Sequence, residues 1–233
     1  MPSVLITGAG QGLGRELVRV YTAKGWTIFP LVRKPEDARQ LAADHSPGCF
    51  PIFGDVREDA VEKSISDALD ARVESLDILI NNAGNIKKER GLLRADTSDM
   101  LDHFNVHCVG ALRCARACLP FLRKAARPLI VNITSRRGSI SRTPYLEGGL
   151  IYAYKIAKAA QNMLTACLSE ELRADNIRVF AVHPGGLKTS VAPPDADVEP
   201  ADAAQRLFHW IDDVDDTVDC ACYDLTTGEI IDW

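Results

Sequence analysis

No stretch of the 233-residue chain approaches the ~18 consecutive apolar residues that a membrane-crossing helix requires. A basic excess is also lacking. The 27 Lys and Arg stand against 32 Asp and Glu, for a formal charge of −5, and no polybasic run marks a nucleic-acid or anionic-membrane surface. The charged start, apolar stretch and cleavage site of a secretory leader are missing too, because Met1-Pro2-Ser3 runs straight into Val4-Leu5-Ile6. The expectation is a cytoplasmic protein with neither nucleic acid nor membrane as partner. Among seven cysteines, an odd number, no Cys-x-x-Cys pair occurs. Cys114 and Cys118 lie at helical spacing inside an apolar run, so the thiols read as reduced, buried small hydrophobes. Cys220 and Cys222 with His209 lack the ligand spacing of a zinc site, and no metal is expected. Internal repeats and low-complexity tracts are absent as well.

What is present is ordinary for a packed soluble chain: 46% hydrophobic and 25% charged residues. Short apolar runs alternate with longer amphipathic segments. The runs Val4–Ile6, Ile28–Val32, Ile52–Phe53, Ile78–Ile80, Leu129–Ile133 and Val179–Val182 are continuous, as in strands buried on both faces. Between them, Leu13, Leu17, Val20 and Tyr21 share a helical face, and Val61, Ile65, Leu69 and Val73 keep a spacing of four. Further helices are predicted over Ser98–Lys124 and Ile151–Ala174. This alternation predicts a doubly wound, mostly parallel α/β sheet, Rossmann-like and three layers deep. The tract Ala192–Pro200, with two adjacent prolines and three acids, reads as a loop. The about 33 residues after it are too few for an independent core, so residues 1–233 are read as a single domain.

Thr7-Gly8-Ala9-Gly10-Gln11-Gly12-Leu13-Gly14 follows the first strand and opens the first helix. A turn without side chains lets backbone approach a pyrophosphate, and the helix N-terminus offers N–H groups and a positive dipole end. The spacing Thr-Gly-x-x-x-Gly-x-Gly resembles that of the short-chain dehydrogenase/reductase family, in its short single-domain branch. Further motifs agree with it in order. They are Asp55-Val56 after the third strand, Asn81-Asn82-Ala83-Gly84 ending the fourth, Ser135 after the fifth, Tyr154-x-x-x-Lys158 on the next long helix, and Pro184-Gly185 through Leu187 and Thr189 ending the sixth. The segment from Tyr152 to Asn162 and the ending Thr227–Trp233 look like the C-factor/sniffer-type carbonyl reductases.

The resemblance implies a nicotinamide cofactor. Gly8, Gln11, Gly12, Leu13 and Gly14 would frame it, Asp55 and Val56 would hold the adenine, and Asn82, Ala83 and Gly84 would line it. Pro184, Gly185, Leu187 and Thr189 are carried over as cofactor-binding, and Ser190–Pro200 as a substrate loop. It also implies a homodimer or homotetramer acting on a small carbonyl or alcohol.

The residues themselves fit that chemistry. Tyr154 and Lys158 are i, i+4 on a helix and share a face. An ammonium ~4 Å from a phenol is expected to lower its pKa by about 1–3 units toward useful acid–base strength. Tyr152 and Lys155 form a second pair, rotated away from the first. Ser135 has no evident histidine–acid partner to activate it as a nucleophile, but a hydrogen bond to a carbonyl needs none. Many family members carry an asparagine three residues before a helical glycine; here Gly110 puts His107 at that place, and Asn105 lies about 200° away. His107 reads either as a relay group that weakens as it protonates or as a buried histidine with a backbone partner. Arg33 follows the second strand with no acid before it, which favours NADP(H) and leaves NAD(H) as the other choice. Arg136 and Arg137 either flank the substrate entrance or form a solvated turn. Two functions stay open: an oxidoreductase that reduces a carbonyl, or a dinucleotide-binding regulatory or signalling protein of the C-factor type with little turnover. A sugar-nucleotide epimerase is disfavoured by length and glycine spacing.

Overall fold

The computed structural model describes residues 1–87, 91–143, 151–189, 196–215 and 218–233. The six apolar runs all become strands: β1 (Ser3–Thr7), β2 (Thr27–Val32), β3 (Ile52–Phe53), β4 (Ile78–Asn81), β5 (Leu129–Ile133) and β6 (Arg178–His183). Two more follow, β7 (Cys222–Asp224) and β8 (Ile230–Ile231). One sheet results, in the order β3-β2-β1-β4-β5-β6-β7-β8, parallel through β7 and closed by the antiparallel β8. The helices are α1 (Gly12–Ala23), α2 (Pro35–Asp44), α3 (Ala60–Asp70), α4 (Thr97–Phe104), α5 (Gly110–Leu122), α6 (Tyr152–Leu172) and α7 (Pro200–Asp213).

Alternate strand residues feed two separate cores, which makes the structure three-layered. Val4, Ile6, Ile80 and Val131 pack on one face with Leu17 and Tyr21 of α1 and Leu207 and Phe208 of α7. Leu5, Leu79, Ile130 and Val179 pack on the other with Ile65 of α3, Phe121 of α5 and Leu168 of α6. Continuous apolar runs are what two covered faces require. The Tyr21 and Phe208 rings meet edge-on at 5.1 Å between α1 and α7.

Two expectations need amending. The helix expected over Ser98–Lys124 is interrupted by a π turn at Asn105–Val109 between α4 and α5, one extra residue accommodated without breaking the run. The end of the tract read as a loop to Pro200 is also tied into the fold. Val198 bridges to Leu187, and Pro200 opens α7 in a position where its missing N–H is harmless. Of the tract expected as a substrate loop, 190–195 lie outside the described residues.

The chain order places β1 and β4 side by side while their crossovers depart in opposite directions. A crevice forms outside the strand ends at such a switch point. Both the glycine turn and Asn82-Ala83-Gly84 open there.

Candidate active site

A cleft of about 1190 Å³ runs along the C-terminal ends of the strands. At its centre two loops are stitched together. Thr7 Oγ1 accepts from the N–H groups of Asn82 and Ala83, both at 2.9 Å. Asn82 Nδ2 donates back to the Thr7 and Gly8 carbonyls at 2.9 and 3.3 Å. Gly8 has φ +67, and a Cβ there would meet the Ala83 Cα at 2.7 Å, so glycine is required by both conformation and space. Gly14 does not line the cleft. It sits behind it, where a Cβ would collide with the Gly8 carbonyl oxygen and crowd Asn82. α1 begins at Gly12 without a side-chain cap, and Gln11, Gly12 and Leu13 line the cleft. This is the cradle that a pyrophosphate fits: backbone N–H groups and a dipole end with no side chain in the way. Thr189 closes over it, its Cγ2 lying 3.6 Å from where a Gly12 Cβ would be.

One end of the cleft is mixed in charge. Arg33 and Lys34 line it in exposed positions. Asp37, on the first turn of α2, lies against the glycine turn, its Oδ2 2.7 Å from where a Gly10 Cβ would be. Asp55 and Val56 line the same end. Arg57 grips the Asp55 carboxylate through Nη2 at 2.6 Å and Nε at 3.1 Å, and reaches Asp102 at 3.3 Å. Burial alone would raise the Asp55 carboxyl, but the Arg57 hydrogen bonds outweigh it and hold it below the usual range.

The other end brings together Ser135, Tyr154 and Lys158. Ser135 follows β5 in an extended conformation, and its Oγ accepts from Arg137 N–H at 3.1 Å. The turn of Arg136–Gly138 then presses on α6 so closely that a Cβ on Gly138 would lie 2.9 Å from the Lys158 Cβ. Tyr154 and Lys158 face the cleft. Tyr152 and Lys155 do not line it, and Lys155 Nζ donates to Thr143 Oγ1 at 3.3 Å.

Charges at this end differ from the expectation. The Tyr154 phenol is raised, not lowered: burial pushes it up, opposed by its hydrogen bond with Ser135 and by the positive charge of Arg137. The Lys158 Nζ donates instead to the Ile133 carbonyl at 2.7 Å and Gln161 Oε1 at 2.9 Å. It stands 5.8 Å from the Tyr154 ring centre. Burial pulls Lys158 itself down to about 7.

His107, in the π turn, does reach the cleft. Its ring meets that of Tyr154 edge-on at 5.6 Å, and Nε2 lies 2.9 Å from the Asn85 carbonyl and 3.4 Å from the Asn85 N–H. Nδ1 is buried with no hydrogen-bond partner among the described residues. Burial, reinforced by the Lys158 charge, holds the ring well below its ordinary pKa. The expected loss of a relay by protonation near neutral pH is therefore corrected: the imidazole stays neutral there. Asn105 points the other way, bonded to the Arg57 carbonyl and to Arg113. Gly84 leaves room for His107, since a Cβ there would lie 2.7 Å from its Cε1. His183, Pro184, Gly185 and Leu187 complete this wall. At Gly185, φ +100, a Cβ would press on Thr226 and Val198. His183 is buried and its pKa lowered by burial, with Asp224 opposing.

Sequence reasoning missed Gln161, His183 and Arg57. Gln161 carried a signal, its i, i+3 offset from Lys158. Arg57 carried a weak one, its i, i+2 offset from Asp55, while its reach to Asp102 depends on how α4 packs.

The short chain dehydrogenase family model matches residues 2–200. The C-signal protein of Myxococcus xanthus is 36% identical over 137 residues, covering 59% of this chain and 81% of that protein. Among solved structures, an NADPH-bound carbonyl reductase from chicken fatty liver superposes with a TM-score of 0.91 at 26% identity, over 100% of this chain and 99% of that one. The carbonyl reductase Sniffer of D. melanogaster gives 0.89 at 28% identity, over 100% of both chains.

Proposed function

The chain belongs to the short chain dehydrogenase family and is an oxidoreductase using a nicotinamide dinucleotide, and within that family we propose that it reduces a carbonyl group, with NADP(H) favoured, at a Ser135–Tyr154–Lys158 site. The observation that carries this reading is the meeting of those three side chains at one end of a cleft whose middle is the glycine cradle.

When bound, the dinucleotide supplies the hydride. The chain's own residues do the rest. The glycine turn and the start of α1 would hold the pyrophosphate. Arg33 and Lys34 would meet a 2′-phosphate, and Asp55 and Val56 the adenine. Asn82, Ala83 and Gly84 would form the floor, with Pro184, Gly185, Leu187 and Thr189 as the opposite wall. Lys158 would hold the ribose through the N–H left over from its two internal bonds. Ser135 donates to the substrate carbonyl and orients it. Tyr154 gives its proton to the same oxygen as negative charge develops there, a transfer that a charged Arg137 nearby favours electrostatically.

The test is NADPH oxidation followed spectrophotometrically across aldehydes, ketones and quinones. Turnover in the wild type and its loss in Tyr154→Phe, with NADPH still bound, supports the proposal; full activity in Tyr154→Phe refutes the assignment. A second reading rests on the similarity to the C-signal protein: a dinucleotide-binding signalling protein. Tight NADPH binding without turnover on any substrate favours it. By family resemblance the working unit is a homodimer or homotetramer, checked by light scattering.

A further inference from the structure

α6 buries an unusual stripe for a helix packed on a sheet. Beside Ala157, Leu168 and Leu172 it buries Lys158, Gln161, Asn162 and Thr165. A buried amide needs hydrogen-bond partners to offset its desolvation. Gln161 is 1% exposed, and its Oε1 accepts from Lys158 Nζ at 2.9 Å. We propose that Gln161 is a positioning residue for Lys158: its side-chain amide fixes the ammonium and aims the remaining N–H into the cleft.

An ammonium has three N–H donors and no acceptor. The Ile133 carbonyl takes one and Gln161 takes a second, which leaves one for a ligand. Both acceptors are neutral. Around them, Tyr154 faces Lys158 from its own helix, His107 from the π turn, His183 from β6 and Cys222 from β7. Asp224 acts on His183, and the turn after β5 adds Arg136 and Arg137. The neutral oxygens of Ile133 and Gln161 therefore stand in for water around this cation. Gln161 is itself braced. Its backbone carbonyl accepts from Thr165 Oγ1 at 2.8 Å, Thr165 Oγ1 accepts from Asn132 Nδ2 at 2.9 Å, and Asn132 Oδ1 accepts from Asn81 Nδ2 at 2.9 Å. This chain of bonds ties the α6 backbone at Gln161, from which the amide reaches Lys158, to β4 and β5.

The proposal rests on the reading of Lys158 as part of the working site, so its test begins without turnover. Lys158 is titrated by NMR in the cofactor-free protein carrying ¹³C-labelled lysine, with the signal assigned by its loss in Lys158→Met. Gln161→Met removes the acceptor at similar volume, and Lys158 should titrate about 1–2 pH units lower. Gln161→Glu adds an opposite charge, and Lys158 should titrate higher than in the wild type. The alkaline limb of NADPH oxidation should move in the same order. If Lys158 titrates alike in all three proteins, Gln161 is a packing residue and the proposal falls. Should Gln161→Met not fold, the comparison of Gln161→Glu with the wild type decides alone: an unmoved titration overturns it. Absence of carbonyl turnover would sink the functional reading while leaving the titration intact.

Discussion

Single side chains decide cofactor choice and pH behaviour here. Arg33 stands at the end of β2 with Lys34 beside it and Asp37 nearby. Arg33→Ala deletes a charge-assisted contact to a 2′-phosphate worth about 1.5–3 kcal/mol, or roughly 10–150-fold in affinity. NADPH titration should weaken by that factor while NADH binding holds; equal loss of both removes Arg33 from the selection. His107 carries a different expectation. Its ring is neutral at working pH because burial resists the proton. His107→Asn should therefore keep activity without moving the acid limb, and His107→Leu should slow turnover by less than about tenfold. The unfolded chain takes up a proton on this residue near its ordinary 6.5; the folded chain does not. Stability thus falls as pH drops through and below that value, and His107→Asn should flatten part of the fall in acid unfolding curves. The Tyr154/Lys158 pair was legible from its family spacing taken with Ser135 and the glycine turn; i, i+4 spacing alone would also fit a chance pair. The direction of the Tyr154 shift was not, because it depends on how completely folding buries the phenol.

Between elements, one close approach is where the turn of Arg136–Gly138 meets α6. A Gly138 Cβ would lie 2.8 Å from the Lys158 carbonyl carbon. Gly138→Ala should lower stability by about 1–3 kcal/mol and push Ser135 away from Tyr154. The expected outcome is a fall in kcat out of proportion to any change in NADPH affinity, read from steady-state kinetics beside a binding titration. The elements differ in how far sequence exposes them. The six buried strands were readable because a short, continuous apolar run between polar turns suits a strand covered on both faces. α2 was not, since Leu41 is its one fully buried residue and leaves no periodic face. α7 hid behind Pro200, and β7 and β8 are too short to carry a pattern. The π turn escaped for another reason: counting residues at 100° each assumes an unbroken α-helix, and Asn105–Val109 is not one.

Across the whole molecule, the working cleft is held at some expense to stability. A lysine whose pKa falls to about 7 on folding binds more protons unfolded than folded between about 7 and 10.5. Stability from this group therefore rises with pH through that window and is lowest below it. Lys158→Met should flatten that rise in denaturant unfolding measured from pH 7 to 10. Ligand linkage runs the opposite way. NADPH at a hundredfold excess over its Kd should add about 2.7 kcal/mol, raising Tm by roughly 5–10 °C; a thermal shift near zero would count against the glycine cradle as its site. The two outer strands of the sheet, β3 and β8, are each two residues long. A neighbouring chain seeking to extend the sheet would find room for a pair of backbone hydrogen bonds and little more. At both margins the protein is thus guarded against edge-to-edge aggregation, and stable self-association has to be built from helix and loop surfaces instead.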